Sequence, residues 1–133
     1  MALSPGFAEA HRALGHLRLK GDDLDGAEAS YRRAVEIDPA DAAAWNNLGV
    51  IAGRRGRLAE ALACFRRAVA ADGRHAPSLF NLARTLLEAG QEDAARAAFR
   101  RYLELVPGDP EAESYLSALG HAHAHPAANA PAA

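Results

Sequence analysis

Apolar and small residues recur along the chain at i, i+3, i+4 and i+7 in stretches of about 12–14 residues, the period of helices with one buried face. Turn formers break the pattern at Gly21-Asp22-Asp23, Gly56-Arg57 and Gly90-Gln91, so the stretches fall into pairs. Each pair predicts a helical hairpin. The pairs also repeat: Tyr31-Arg32-Arg33-Ala34-Val35, Phe65-Arg66-Arg67-Ala68-Val69 and Phe99-Arg100-Arg101-Tyr102-Leu103 stand 34 residues apart. The same offset relates Leu14, Leu48 and Leu82, then Ala27, Ala61 and Ala95, and then Gly15, Gly49 and Ala83. A fixed period of this length marks a repeat protein.

The small positions have a mechanical use. Gly15, Gly49 and Ala83 on the first helices, with Ala27, Ala61 and Ala95 on the second, let two backbones approach closely, and Tyr31, Phe65 and Phe99 fill the gap to the next hairpin. Pro39 and Pro107 lack a donor N–H and suit the break between units. One hairpin cannot bury its apolar face alone, so the units must stack and the stack must end in a polar cap. Residues 110–120 supply one: Pro110 and two glutamates suit a helix start, and Gly120 suits its end. From His121 to Ala133 apolar periodicity disappears, which predicts a disordered tail.

At this point the chain resembles the tetratricopeptide repeat (TPR) family, whose signature joins W-x2-L-G-x2-Y to a later A-x3-F and a proline. The middle unit has Trp45, Leu48, Gly49, Ala61, Phe65 and Ala68 at that spacing, with Ala52 in place of the tyrosine and Gly73 in place of the proline. The first keeps Leu14, Gly15, Ala27, Tyr31, Ala34 and Pro39, with His11 at the aromatic position and the turn glycine, Gly21, one residue early. The third keeps Leu82, Ala83, Leu86, Gly90, Ala95, Phe99 and Pro107. The expected architecture is an all-α solenoid: a lead-in over 1–7, TPR units over 8–41, 42–75 and 76–109, a capping helix over 110–120 and the tail over 121–133. Trp45 is expected to pack within the array.

Composition narrows the function. No apolar run approaches the ~20 residues of a membrane span, and the start has neither the basic region nor the apolar core of a signal peptide. Net charge is −2, so no global basic field draws the chain onto nucleic acid. Cys64 is the lone cysteine, which leaves no intrachain disulfide and no cysteine-based zinc site. A cytoplasmic setting is the simplest expectation. Cys64, beside Phe65, is expected to be a small buried hydrophobe.

The resemblance implies that the first helices line a concave groove which takes extended peptides. In the TPR register, groove positions are Glu9, Arg12, Ala13, His16 and Lys20, then Asn46, Asn47, Val50 and Arg54, then Phe80, Asn81, Arg84 and Glu88. Four cations against two carboxylates favour a ligand with acidic side chains or a free C-terminal carboxylate. Asn47 and Asn81 stand one repeat apart, similar to the asparagine ladder of O-linked N-acetylglucosamine transferase repeats, and an amide can hold peptide main chain without reading sequence. Ala13 interrupts that ladder. Against the carboxylate clamp of co-chaperone TPR domains, Arg12 and Asn47 match, whereas His16, Pro77 and Asn81 depart, so a full clamp is not expected.

Other features weigh less. The doublets Arg32-Arg33, Arg66-Arg67 and Arg100-Arg101 form a stripe on the second helices, with glutamates such as Glu28, Glu36 and Glu104 at helical spacing, as a solvated face has. His121, His123 and His125 could bind a transition metal weakly. His75 has no evident partner for catalysis. With no phosphate loop, no nucleophile and base at a known spacing and no paired carboxylates, an enzyme and a cofactor are not expected. The sequence points to a protein-interaction adaptor, monomeric or weakly self-associating, that captures a partner's peptide segment in the groove. The alternative is an assembly subunit that docks through its ends or its convex face.

Overall fold

The computed structural model describes residues 5–120. Six helices run in order, α1 (Pro5–Lys20), α2 (Leu24–Ile37), α3 (Ala42–Arg54), α4 (Leu58–Ala71), α5 (Ala76–Glu88) and α6 (Glu92–Leu105). A seventh, α7, covers 110–120, and the described residues contain no strand. The expected all-α stack of three hairpins plus a cap is therefore present. α1 starts inside the stretch predicted as a lead-in. The histidine tail, with His121, His123 and His125, lies outside the described residues.

Aspartates start several of the helices. Asp23 accepts from the Gly26 N–H at 2.9 Å, Asp41 from Ala44 at 3.1 Å and Asp109 from Ala112 at 3.0 Å, each meeting a donor that has no partner within its own helix. The hairpin turns need left-handed backbone at Gly56 and Gly90. In the first unit Gly21 stands one residue early, so the left-handed position falls on Asp22, at φ 63°. Aspartate tolerates that region better than most side chains.

The core explains the small residues. A Cβ on Gly49 would lie 2.6 Å from the Phe65 ring, and one on Gly15 would lie 2.9 Å from Tyr31. Each glycine thus seats the aromatic of its own hairpin's second helix. Phe65 shares one cluster with Leu82, Ala83 and Leu86 of α5, while Tyr31, Ala34 and Val35 of α2 share another with Ala44, Leu48 and Ile51 of α3. Under the cap, Phe99 stacks on Tyr115 at 4.8 Å between ring centres, with Phe80 edge-on to Phe99 at 5.9 Å. Trp45 lies half-buried on α3, its indole N–H donating to the Pro39 carbonyl at 2.8 Å and its ring beneath Arg67.

Buried polar groups are mostly partnered. Arg18 donates to the Ser30 hydroxyl at 3.0 Å and to the Gly26 carbonyl at 3.2 Å, and His75 Nδ1 hydrogen-bonds Ser78. Ser78 is fully buried and His75 half-buried, and their contact ties the residue before α5 to its first turn. The Tyr31 hydroxyl is the exception, buried with no hydrogen-bond partner among the described residues. An orphaned buried hydroxyl costs about 1–3 kcal/mol, and Phe occupies the equivalent positions 65 and 99. Tyr31→Phe is therefore expected to raise stability by about 1 kcal/mol in urea denaturation. Burial pushes the Tyr31 phenol up, with Arg12 opposing it. The phenol ionises first in the unfolded chain, from near pH ~10, so wild type loses stability as pH rises from there toward the folded value. The Phe variant should lack that loss.

Candidate functional site

The first helices α1, α3 and α5 line one side of the stack, and two hollows open between them. The first, about 500 Å³, is bounded by Glu9, Arg12, Ala13 and His16 of α1 with Ala43 and Asn47 of α3. The second, about 530 Å³, has Val50 and Arg54 of α3 facing Asn81, Arg84, Thr85 and Glu88 of α5, over a floor that includes Gly49, Gly53, Leu58, Ala61 and Phe65. A Cβ on Gly53 would meet nothing within 4 Å, so the backbone there borders open space at the second hollow.

In the first hollow Arg12 is held in place. Its Nε donates to Asp41 at 3.0 Å, and the other oxygen of Asp41 accepts from the Ala44 N–H that starts α3. One carboxylate thus fixes both the arginine and the helix. The terminal amino groups of Arg12 make no hydrogen bond among the described residues, so the guanidinium keeps donors for a ligand.

The second hollow is less neutralised. Neither Arg54 nor Arg84 forms an ion pair among the described residues, and the Arg84 guanidinium lies 5.5 Å from the centre of the Phe80 ring. That stacking orients a planar fork while leaving its edges open to a carboxylate. Glu88 stands in the same hollow. Polar donors above an apolar floor suit a ligand side chain that carries both an aliphatic stem and an acidic end.

Not every expected groove residue points into a hollow. Asn46 is 8% exposed, and its carbonyl oxygen accepts from Asn81 Nδ2 at 3.0 Å, so it serves as a strut between repeats. Asn81 reaches the second hollow with that N–H already engaged. Phe80 belongs to the aromatic cluster under α7, at 5.1 Å from Tyr102, and Lys20 lies at the end of α1 outside both hollows. Asp41, Thr85 and the glycine floor were missed. Asp41 carried a signal, since Asp before an apolar-periodic stretch marks a helix start, but its second duty toward Arg12 spans two units.

Other candidates take structural places. Arg32 pairs with Glu28 at 2.8 Å and Arg33 with Glu36 at 3.2 Å, Arg67 covers Trp45, and Arg101 donates to the Gly73 carbonyl, whereas Arg66 and Arg100 form no ion pair among the described residues. Cys64, expected to be buried, is half-buried against the cluster of α2 and α3, and burial pushes its thiol up, with Glu60 adding to it. No group of three or more His, Cys, Asp or Glu residues among the described residues could hold a metal ion, and no described helix is long and apolar enough to cross a membrane.

Known proteins share this architecture. The chain is 42% identical over 45 residues to the Cell division cycle protein 27 homolog of Caenorhabditis elegans, a match that spans 34% of this chain and 6% of that protein. The first TPR of Spaghetti (RPAP3), bound to the HSP90 peptide SRMEEVD, superposes with a TM-score of 0.84 at 21% identity over 92% of this chain and 99% of that one. The Yersinia enterocolitica type III secretion chaperone SycD, in complex with a peptide of the translocator YopD, gives 0.75 at 19% identity over 84% and 90%. Identities this low establish shared fold. Residues 6–128 match the model of the Cilia and flagella-associated protein 70 middle TPR-like domain, which covers most of the chain, and the protein therefore belongs to that TPR-like family.

Proposed function

We propose that the chain is a peptide-binding TPR adaptor whose groove takes an extended segment rich in acidic side chains or ending in a free carboxylate. The supporting observation is the pair Arg54 and Arg84, two guanidinium groups without ion-pair partners among the described residues, set around one hollow with an apolar floor. Asn47 and the open donors of Arg12 extend the polar track along α1 and α3. Two structural relatives were solved with peptides bound, one of them the acidic SRMEEVD, which agrees with this reading.

The test is a titration with three peptides of one length: acidic with a free carboxylate, the same sequence amidated, and a version with lysines for the acids. Binding should weaken in that order, and the acidic peptide should lose affinity as salt rises, since the guanidinium groups are exposed to solvent. Equal affinity for all three peptides would contradict the proposal.

A further inference from the structure

The middle unit lacks a leucine that both its neighbours have. Positions 19, 53 and 87 stand one period apart and read Leu, Gly, Leu. Leu19 is half-buried against the cluster that holds Ala27, Tyr31 and Ile51, and Leu87 is half-buried against the one that holds Ala95, Phe99 and Leu119. The same three positions in the middle of the stack are Ala61, Phe65 and Thr85, and all three line the second hollow together with Gly53. A small alanine beside an aromatic ring thus forms one kind of seat in every unit. A leucine packs on it in the first and third units, and in the second the hollow stands in the leucine's place. Leu58, at the same hollow, is 37% exposed, whereas Leu24, one period earlier, is half-buried on the cluster that Leu19 also covers.

Folding does not ask for glycine at this place. Gly49 seats the Phe65 ring and Gly56 holds a left-handed turn, but Gly53 lies within α3 without a positive φ, and a Cβ there would meet nothing within 4 Å. Almost any other residue would serve the helix better. We infer that the second hollow is a pocket for a leucine-sized aliphatic side chain of the bound peptide, which takes the seat that Leu19 and Leu87 fill in the other units, and that Gly53 sets this specificity. That the ligand is a peptide rests on the groove reading above; the size and kind of its side chain rest on the hollow alone.

Charge decides what adjoins the aliphatic group. Arg54 and Arg84 share the hollow with Glu88, two cations against one carboxylate, so a carboxylate next to the anchoring side chain is matched by the walls while the aliphatic part lies on the floor. The first hollow offers no comparable seat, because its apolar lining is Ala13 and Ala43. The anchor therefore belongs in the second hollow, and its place there sets the register in which the rest of the segment meets Asn47 and Arg12 along the groove.

The experiment follows backbone amide signals of the full chain by NMR while N-acetyl-leucine, N-acetylalanine and the uncharged N-acetyl-leucine amide are titrated in. N-acetyl-leucine should shift the amides of Gly53, Ala61 and Arg84 and saturate in the millimolar range expected of about a dozen heavy atoms. N-acetylalanine should bind about tenfold more weakly or worse, having lost the group that fills the seat, and the amide should also bind more weakly. Gly53→Leu should supply the missing side chain from within, so that the melting temperature holds or rises while N-acetyl-leucine affinity falls about tenfold or more. Gly53→Ala, whose methyl enters open space, should keep N-acetyl-leucine binding close to wild type. Equal affinity for the leucine and alanine probes, or wild-type affinity in Gly53→Leu, would overturn the inference. So would loss of the fold in Gly53→Leu, since the seat would then not accept a leucine. Acidic peptides that fail to bind while N-acetyl-leucine still shifts the hollow's amides would refute peptide capture and leave the side-chain pocket standing.

Discussion

Phe65→Ala should lower the unfolding free energy by about 3–5 kcal/mol, the usual cost of a large buried ring lost with its cavity unfilled. Phe65 is 4% exposed and sits at the junction of three helices: it lies against Gly49 of α3, belongs to α4, and shares its cluster with Leu82, Ala83 and Leu86 of α5. Gly49 cannot close the void, having no side chain to move into it. Small domains hold only about 5–15 kcal/mol in total, so the variant should be partly unfolded at moderate urea where the wild type is intact. In a stack whose units touch only their neighbours, the damage should centre on the α3–α4–α5 junction. Hydrogen exchange of α3 and α4 would show it, alongside a urea midpoint from circular dichroism. A loss under about 1 kcal/mol would mean that the ring is not the keystone of its hairpin.

Most of the architecture was legible because it is periodic. The offset that ties Gly15 to Gly49, and Tyr31 to Phe65 and Phe99, states that the hairpins are built alike, whereas the seating of each ring on the glycine of its own hairpin was not legible, because the rings were expected toward the next hairpin. The cap was legible from the same offset, since Ala112 and Leu119 repeat the positions of Ser78 and Thr85 and are likewise buried. The site was harder to read, because a repeat register states which face a residue shares and not which neighbour it bonds. Asn46 and Asn47 are adjacent in sequence, yet one is a strut to Asn81 and the other borders a hollow. Phe80 follows the register onto the groove side, but the aromatic ring finds Phe99, Tyr102 and Tyr115 first, and burial in that cluster outweighs exposure. The left-handed Asp22 shows the opposite case, a turn shifted by one residue while the helices on either side keep their pairing.

Combining Arg54→Ala with Arg84→Ala should weaken an acidic peptide by about 2–4 kcal/mol, since a hydrogen bond to a charged group is worth about 1.5–3 kcal/mol and solvent exposure reduces each contribution. These two are clean probes because neither arginine holds another part of the fold through an ion pair among the described residues. Arg12→Ala is not clean: it leaves Asp41, whose side chain is 8% exposed, with a buried carboxylate short of its cation. Asn81→Ala is compromised in the same way, because the buried Asn46 oxygen loses its donor. Their effects on binding must be read against their own unfolding curves. Asn47→Ala should cost about 1–3 kcal/mol for any ligand that spans the first hollow, acidic or not, because it removes a main-chain partner and no charge. The arginine pair should act selectively, losing affinity for acidic peptides and flattening the salt dependence while neutral peptides bind as before. Arg66→Glu and Arg100→Glu serve as the matched control, exposed arginines of the second-helix stripe without ion pairs among the described residues. If peptide capture survives the Arg54 and Arg84 substitutions but is lost with Arg66→Glu and Arg100→Glu, the working surface is the stripe on the second helices and the groove proposal fails.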